Sequence, residues 1–481
     1  MNLIAPAFIG ILATEIFLHL PFQNLLSAIT AHLNKSLSTI RSPRISDHWK
    51  ERVILKYSLI ILTATLKSAF YIGVILAPIG LLAFINEGFL ATITSFSGII
   101  TLSAVSIIYF IWRKKMPQGP YGPLSKAFHY LALGSHLVCE ASFDIEQTAL
   151  RPDPADIINK KHVFIAGLAR AGTTLLMRRF YATGQFRSLT YRDMPFVLMP
   201  NLWRKLSSFS HKQSVKQERA HGDGLLVDYN SPEALEEVFW KTFSENDYIQ
   251  PDKLVPMTAD DEVLGKFRSY VSSILSQDPR QNICYLSKNN NNILRLSSIH
   301  QAFPRALIII PFRDPLQQAD SLLSQHRRFV GVHQTDTFIC QYMRWLAHHE
   351  FGYDHRPFRF DPDRFTHTDP RQLNYWLERW VDAYRWLMVS APPAAVFLSY
   401  ESFCSKIDEI WPQLSAMADI PCTMLGEDLI VPKNRRVKGK VDEAISKEAY
   451  KTYEELLSKE IRGNDSGLRE NLSSPESPLK N

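Results

Sequence analysis

His162-Val163-Phe164-Ile165-Ala166-Gly167-Leu168-Ala169-Arg170-Ala171-Gly172-Thr173-Thr174-Leu175-Leu176 decides how this chain is read. Its apolar opening reads as a buried strand, Gly167 to Gly172 as a tight turn, and Thr-Thr-Leu-Leu as the start of a helix. A strand, a turn of small residues and a helix N-terminus together make an anion nest. Backbone N–H groups converge there, and the helix dipole adds partial positive charge. Gly167 and Gly172 keep the spacing of the nucleoside-triphosphate loop G-x-x-x-x-G-K-[ST]. Thr173, however, stands where that loop has the Lys that reaches the β- and γ-phosphates. The positive charge sits earlier in the turn, at Arg170. The loop is therefore suited to holding phosphate and not to hydrolysing a triphosphate.

A second signal lies downstream. Ile308-Ile309-Ile310-Pro311-Phe312-Arg313-Asp314-Pro315 is again an apolar run that ends in a charged turn. Asp314-Pro315 predicts a helix start, which holds Arg313 at the C-terminal end of a strand, where α/β folds place ligands. Ser321, eight residues after Arg313, falls about two helical turns further on and near the same face. An Arg and a Ser so placed suit a second phosphate. Apolar runs predict strands at Val163–Ala166, Ile283–Ser287, Ala306–Pro311 and Ala395–Tyr400. Helices are predicted at Thr173–Gly184, Pro232–Phe243, Asp261–Gln277, Leu316–Gln325, Thr337–His349, Gln372–Ser390, Lys406–Met417 and Asp442–Lys459. Short apolar strands interleaved with helices predict an α/β fold whose parallel sheet is covered on both faces.

In this order the two signals resemble those of sulfotransferases that use 3′-phosphoadenylyl sulfate (PAPS). Phe164–Leu176 resembles that family's 5′-phosphosulfate loop, commonly G-x-x-R-S-G-T-T-L-L, and Arg313 to Ser321 resembles its 3′-phosphate motif. Tyr285-Leu286-Ser287-Lys288-Asn289-Asn290 resembles the Lys-bearing turn between them. The likeness spans roughly Lys126 to Lys459 and is closest to the bacterial, tyrosylprotein and carbohydrate branches. It implies a P-loop-type three-layer sandwich, PAPS as co-substrate, no metal, and a hydroxyl or amine acceptor. By the same resemblance Gly167, Arg170, Ala171, Gly172, Thr173, Thr174 and Leu175 hold the 5′-phosphosulfate, while Arg313 and Ser321 hold the 3′-phosphate. Arg170 and Lys288 then sit near the leaving phosphate, and the basic loop with Arg435, Lys438 and Gly439 closes over the nucleotide. Ala171 departs from the pattern, where Ser is common, so one hydroxyl donor is lost and the backbone N–H remains.

The acceptor must lose a proton, which calls for a base. Asp193, in Tyr191-Arg192-Asp193-Met194-Pro195, follows the first βα unit and is the first choice. A helix cap or an ion pair with Arg192 is its structural alternative. His221, whose unperturbed pKa lies nearer neutrality, and Glu236, between Glu233 and Glu237, are the other candidates. Trp345, His348, His349, Glu350 and the loop Tyr353–Phe360 suit either an acceptor wall or plain packing. Two other functions compete. A P-loop nucleotide kinase or NTPase is opposed by Thr173, and an inactive nucleotide-binding membrane scaffold by intact Arg170, Lys288, Arg313 and Ser321.

The N-terminal fifth has a different composition. Ser68–Asn86 and Phe89–Trp112 carry no charge, and each is long enough to cross a hydrocarbon core of about 30 Å. Only Glu87 and Gly88 separate them, which predicts a helical hairpin spanning a membrane. Two buried helices of a soluble domain are the alternative. Lys35, Arg41, Arg44, Lys50, Arg52 and Lys56 precede the hairpin, Arg113, Lys114 and Lys115 follow it, and the tip has no Lys or Arg. The positive-inside rule then puts both flanks, and the catalytic domain, on the cytoplasmic side. Ala7–Leu33 is apolar but interrupted, and reads as an interfacial helix or a third span. The predicted parts are an interfacial basic region (1–57), a two-helix hairpin (58–115), a linker and helix (116–157), a sulfotransferase domain (158–462) and a disordered tail (463–481). A cytoplasmic site tethered to a bilayer predicts a lipid, glycolipid or carbohydrate acceptor.

Composition narrows the remaining classes. With 54 basic and 48 acidic residues the net charge is +6, and no basic run stands out, which argues against a nucleic-acid partner. Cys139, Cys284, Cys340, Cys404 and Cys422 are scattered without a CxxC pair, so neither a metal nor a redox motif is indicated.

Overall fold

Val163–Ile165 forms strand β1, the centre of a five-stranded parallel sheet. The others are β2 (Phe186–Arg187), β3 (Cys284–Lys288), β4 (Leu307–Phe312) and β5 (Ala395–Ser399), in the order β2-β3-β1-β4-β5. The computed structural model describes residues 4–20, 22–43, 46–85, 87–115, 123–207, 217–218, 226–227, 231–361, 366–423, 437 and 440–461. The chain divides into two compact units, Met1–Phe128 with Ser207–Gln213, and His129–Leu206 with Ser214–Asn481.

The second unit holds the sheet. Alternation along β1 sends Val163 and Ile165 to one face and Phe164 to the other. On the first face Val163, Ile165, Leu286, Ile309 and Leu398 pack with Leu176, Met177 and Phe180 of the Thr173–Ala182 helix, and with Trp411 and Leu414. On the second face Phe164 meets Phe267 and Phe303, and Phe267 meets Phe239 and Trp240, all buried. Helices thus cover both sides of the sheet, the three-layer α/β arrangement the sequence indicates.

The four apolar runs are strands within a residue or so of their predicted ends. β2 was not predicted, because two residues at a sheet edge make no apolar run to read. The Pro232–Phe243 prediction becomes a helix over Glu237–Tyr248, since Pro232 and Glu233 pair instead with the backbone of Thr190 and Leu189. The predicted helix Thr337–His349 stops at Trp345, ahead of Ala347, whose φ is +48°. Predicted linker residues are instead part of the packed unit. His136–Leu150 is a helix whose Phe143 ring lies 5.0 Å from that of Phe243. Its buried Glu146 accepts hydrogen bonds from the Asn201 and Leu202 N–H groups at 3.0 and 3.1 Å, capping the Pro200–Ser207 helix.

The first unit is helical: Ile4–His19, Phe22–Arg41, Asp47–Ile85, Glu87–Thr94 and Phe96–Lys115. Two stretches, Asp47–Gly80 and Phe96–Arg113, are long and apolar enough to cross a membrane. The uncharged run after Gly88 is broken at Ser95. Its hydroxyl donates to the Thr92 carbonyl at 2.6 Å and accepts from the Gly98 N–H at 3.1 Å. The predicted tail and the Pro/Gly connection at 116–122 lie outside the described residues.

Candidate active site

The loop after β1 is shaped by contacts that leave little choice of residue. The Ala166 N–H donates to the Ile309 carbonyl at 2.9 Å, continuing the sheet for one residue. Gly172, with φ +84°, sits under Tyr400, and a Cβ there would meet the ring's Cδ2 at 2.5 Å. Arg170 takes φ +70° without being glycine, a conformation that costs about 1–3 kcal/mol and persists only where its surroundings impose it. Those surroundings are visible. Gln318 Nε2 donates to the Ala169 carbonyl at 3.0 Å, and Trp380 Nε1 fixes Gln318 by donating to its Oε1 at 2.9 Å. Tyr384 donates to the Pro311 carbonyl at 2.9 Å, beneath Gly167, where a Cβ would lie 3.0 Å from the same oxygen. Thr173 is buried at the first turn of the helix that follows, next to Gly172, and the N–H groups that open a helix have no carbonyl partner within the helix itself.

The two sequence signals meet. Arg170 Nε donates to Ser321 Oγ at 2.9 Å across 151 residues of sequence. Ser321 lies on the Pro315–Thr335 helix, which Asp314 caps by accepting from the Gln317 N–H at 2.9 Å. Arg313 stacks on Tyr400, its guanidinium carbon 4.9 Å from the ring centre. Its Nε is buried without a hydrogen-bond partner, and the nearest carboxylate, Glu401, is 3.8 Å away. Glu401 is itself engaged by the Asp314 N–H at 3.2 Å and the Ser399 hydroxyl at 3.1 Å. A stacked guanidinium with an unsatisfied, buried donor fits an anion, as does the glycine cradle beside it.

Lys288 ends β3. It pairs in register with Ile165, so the pleat directs it to the face of the Thr173–Ala182 helix. The turn after it is a row of anchored amides. Asn289 Nδ2 donates to Glu237, Asn290 Nδ2 to Glu350 Oε1 at 2.8 Å, and Asn291 Nδ2 to the Ala347 carbonyl at 3.1 Å. Burial pulls the half-buried Glu350 carboxyl up. The charge of His348, the hydrogen bond from Asn290 and the charge of Lys288 outweigh it and hold Glu350 below the usual carboxylate range.

The acid residues read as bases are held in buried hydrogen-bond networks. Asp193 is fully buried, accepting from Arg204 Nε at 2.5 Å, Arg187 Nη2 at 3.3 Å, and the Thr190 N–H and hydroxyl at 2.7 and 3.0 Å. That is a structural clamp around the Tyr191–Asp193 turn, with both oxygens occupied. Glu236 is buried and accepts from Trp240 Nε1 at 3.1 Å and the Tyr285 hydroxyl at 2.9 Å. Burial pushes its carboxyl up, against the hydrogen bonds from Ser287, Trp240 and Tyr285. Glu237 is paired with buried Arg295 at 2.8 Å. His221, Arg435, Lys438 and Gly439 lie outside the described residues. Among the described residues no three His, Cys, Asp or Glu side chains gather as metal ligands.

Sequence reasoning missed the residues that hold the loop. Gln318 lies three positions before Ser321 on one helix face, a spacing that could have marked it. Trp380, Tyr384 and Tyr400 gave no such signal, because their contacts are made only in the folded chain.

The parallel sheet thus carries a glycine-flanked loop after β1 and Arg313 after β4, with Arg170 of the loop bonded to Ser321 on the helix that follows β4. The family model described as "Sulfotransferase family" matches residues 162–423. The chain belongs to the sulfotransferase family, and sulfotransfer is the activity that this membership supports. No curated protein matches the chain. Among solved structures, sulfotransferase STF9 from Mycobacterium avium aligns at 12% identity and TM-score 0.36, over 73% of this chain and 81% of that one. STF1 from Mycobacterium tuberculosis H37Rv aligns at 10% identity and TM-score 0.36, over 66% and 82%. A sulfotransferase from Alicyclobacillus acidocaldarius aligns at 12% identity and TM-score 0.29, over 63% and 94%. At TM-scores this low the structural likeness carries no weight beside the family match.

Proposed function

We propose that the protein moves a sulfuryl group from PAPS to a hydroxyl or amine of a lipid, glycolipid or carbohydrate acceptor at the cytoplasmic face of a membrane. The observation that carries the donor assignment is the Arg170–Ser321 contact beside the unpartnered Nε of Arg313. It supports one site with cationic donors for two phosphate groups, and a phosphate on the 3′ position as well as the 5′ is what separates PAPS from ATP. The acceptor oxygen forms a bond to sulfur as the bridging sulfur–oxygen bond breaks. The electron pair leaves on the 5′-phosphate, and the acceptor's proton passes to a base. Little charge builds on the protein, so placement and neutralisation of the leaving phosphate dominate. The loop N–H groups, Arg170 and Lys288 are suited to that. With both oxygens of Asp193 clamped and Glu236 buried, the base role is best supported for Glu350, whose Oε1 accepts from Asn290 in the turn that follows Lys288.

The membrane assignment draws on the first unit. Leu59, Leu62 and Leu66 of one candidate span, and Ile99, Ile100, Ile107 and Ile108 of the other, are exposed, which favours lipid over water as their solvent. One experiment tests the donor site and the base together. 3′-Phosphoadenosine 5′-phosphate should raise the melting temperature of the full chain. Arg313→Ala should reduce that shift, and Glu350→Gln should keep it while lowering turnover about 100-fold or more. No shift at millimolar ligand would defeat the PAPS reading. Labelled PAPS with membrane extract should label lipid, and label confined to soluble small molecules would defeat the membrane acceptor.

A further inference from the structure

The Ile4–His19 helix is built inside out. From Gly10 onward its buried residues are small or polar. A Cβ on Gly10 would stand 3.0 Å from the Leu102 carbonyl oxygen, and Ser106 Oγ donates to the Gly10 carbonyl at 3.2 Å. Buried Thr14 bonds the same carbonyl at 2.7 Å. Buried Glu15 accepts from Tyr109 at 2.6 Å and from Arg113 Nε at 2.9 Å. Its outward residues are apolar: Phe8 is 62% exposed and Phe17 39%. In water an amphipathic helix does the reverse. In lipid, small residues let helix backbones approach, and polar groups face a partner helix.

Direction follows from the same contacts. Gly10 lies at Leu102 and Ser106, and Glu15 at Tyr109 and Arg113, so the helix runs parallel to Phe96–Lys115. Ile9 packs with Phe89 and Ile93, against Ile79 and Ala83, at the end where the two candidate spans are joined. The helix has 16 residues, a length of about 24 Å, which is shorter than a hydrocarbon core of about 30 Å and spans it where the bilayer thins locally. The side chains of residues 2–14 carry no charge, while Lys67 and Arg113–Lys115 mark the other end. The ion pair falls within a turn or so of His19, near a headgroup region, where a paired charge costs least.

We infer that Ile4–His19 is a third membrane span, parallel to Phe96–Lys115, and that the Glu15–Arg113–Tyr109 cluster locks it in place. Residues 4 and 115 then lie on opposite faces of the bilayer. This rests on the membrane reading above, and the test keeps the two separable. Sealed vesicles carrying the full chain, its five native cysteines replaced by serine, receive one reporter, Ile4→Cys or Lys115→Cys, and a membrane-impermeant maleimide. The two reporters should label from opposite faces. Labelling from the same face, with the protein still resisting alkaline carbonate, overturns the third span alone. Release by carbonate overturns the membrane reading and the span together. With Glu15→Leu added, Ile4→Cys should become accessible from the Lys115 face in a large fraction of molecules. An unchanged pattern would show that the cluster is not the lock.

Discussion

The two units solve opposite problems with the same residue types. In the sheet unit the aromatic residues Phe164, Phe239, Trp240 and Phe267 are buried, and buried charges such as Arg295 and Glu237 are paired. In the helical unit Leu59, Leu62, Ile107 and Ile108 are exposed, while Gly10, Thr14 and Glu15 face inward. Hydrophobic content alone does not separate them, because both contain long apolar runs. What separates them is which residues face a partner, and that identifies the solvent for which each unit is built.

Glycine gives the largest test of the contrast. Gly172→Val adds a Cβ under Tyr400 at φ +84°, in a loop whose position is fixed on several sides. Displacement of the loop by even about 1 Å should lower kcat/KM by roughly 100-fold or more. Gly73→Val, on the Asp47–Ile85 helix, meets nothing within 4 Å, and steady-state assays should find it close to the parent. Equal losses in the two variants would mean that the loop is not specially constrained.

Buried charge gives the next. Asp193→Asn removes the anion between Arg187 and Arg204 and should cost about 3–5 kcal/mol of stability in chemical denaturation. The folded fraction should turn over at the parent rate. A variant with parent-like stability and lost turnover would return Asp193 to the role of base and overturn its role as a clamp.

The sequence was most legible where chemistry and local geometry coincide. The strand, turn and helix at 163–176 are written in one continuous stretch, and so is the route from Arg313 to Ser321. Parallel strands buried on both faces appear as plain apolar runs, which is why four of the five could be placed. The fates of Asp193 and Glu236 were not legible, because their partners Arg204, Arg187 and Tyr285 come from other elements. The first helix was ambiguous for a related reason. Glu15 interrupts its apolar run, and only Arg113 and Tyr109, some ninety residues away, explain a charge there.

His162 gives the smallest effect and a defined sign. It is fully buried just before β1. Its Nε2–H donates to the Ile157 carbonyl at 2.9 Å, and its Nδ1 accepts from the Tyr285 N–H at 2.9 Å. Both contacts require the neutral ring, since a proton on Nδ1 would face another N–H. Burial pushes the pKa down to about 3, with the Lys160 charge adding to it and the Ile157 hydrogen bond opposing it. The unfolded chain binds that proton near pH 6.5, so the folded state gains nothing from it until much lower pH. The stabilisation is complete above the unfolded value and declines as pH falls from about 6.5 toward the folded value. The slope for this one group is roughly 1.4 kcal/mol per pH unit. Denaturation at pH 7 and pH 5 should show that loss in the parent. His162→Gln should remove this share of the slope while lowering stability at pH 7, leaving the share of His355, whose pKa burial also pushes down to about 3. A parent-like slope in the variant would assign the acid sensitivity to other groups. The helical unit buries no described histidine of this kind, so the slope should follow the sheet unit's transition alone.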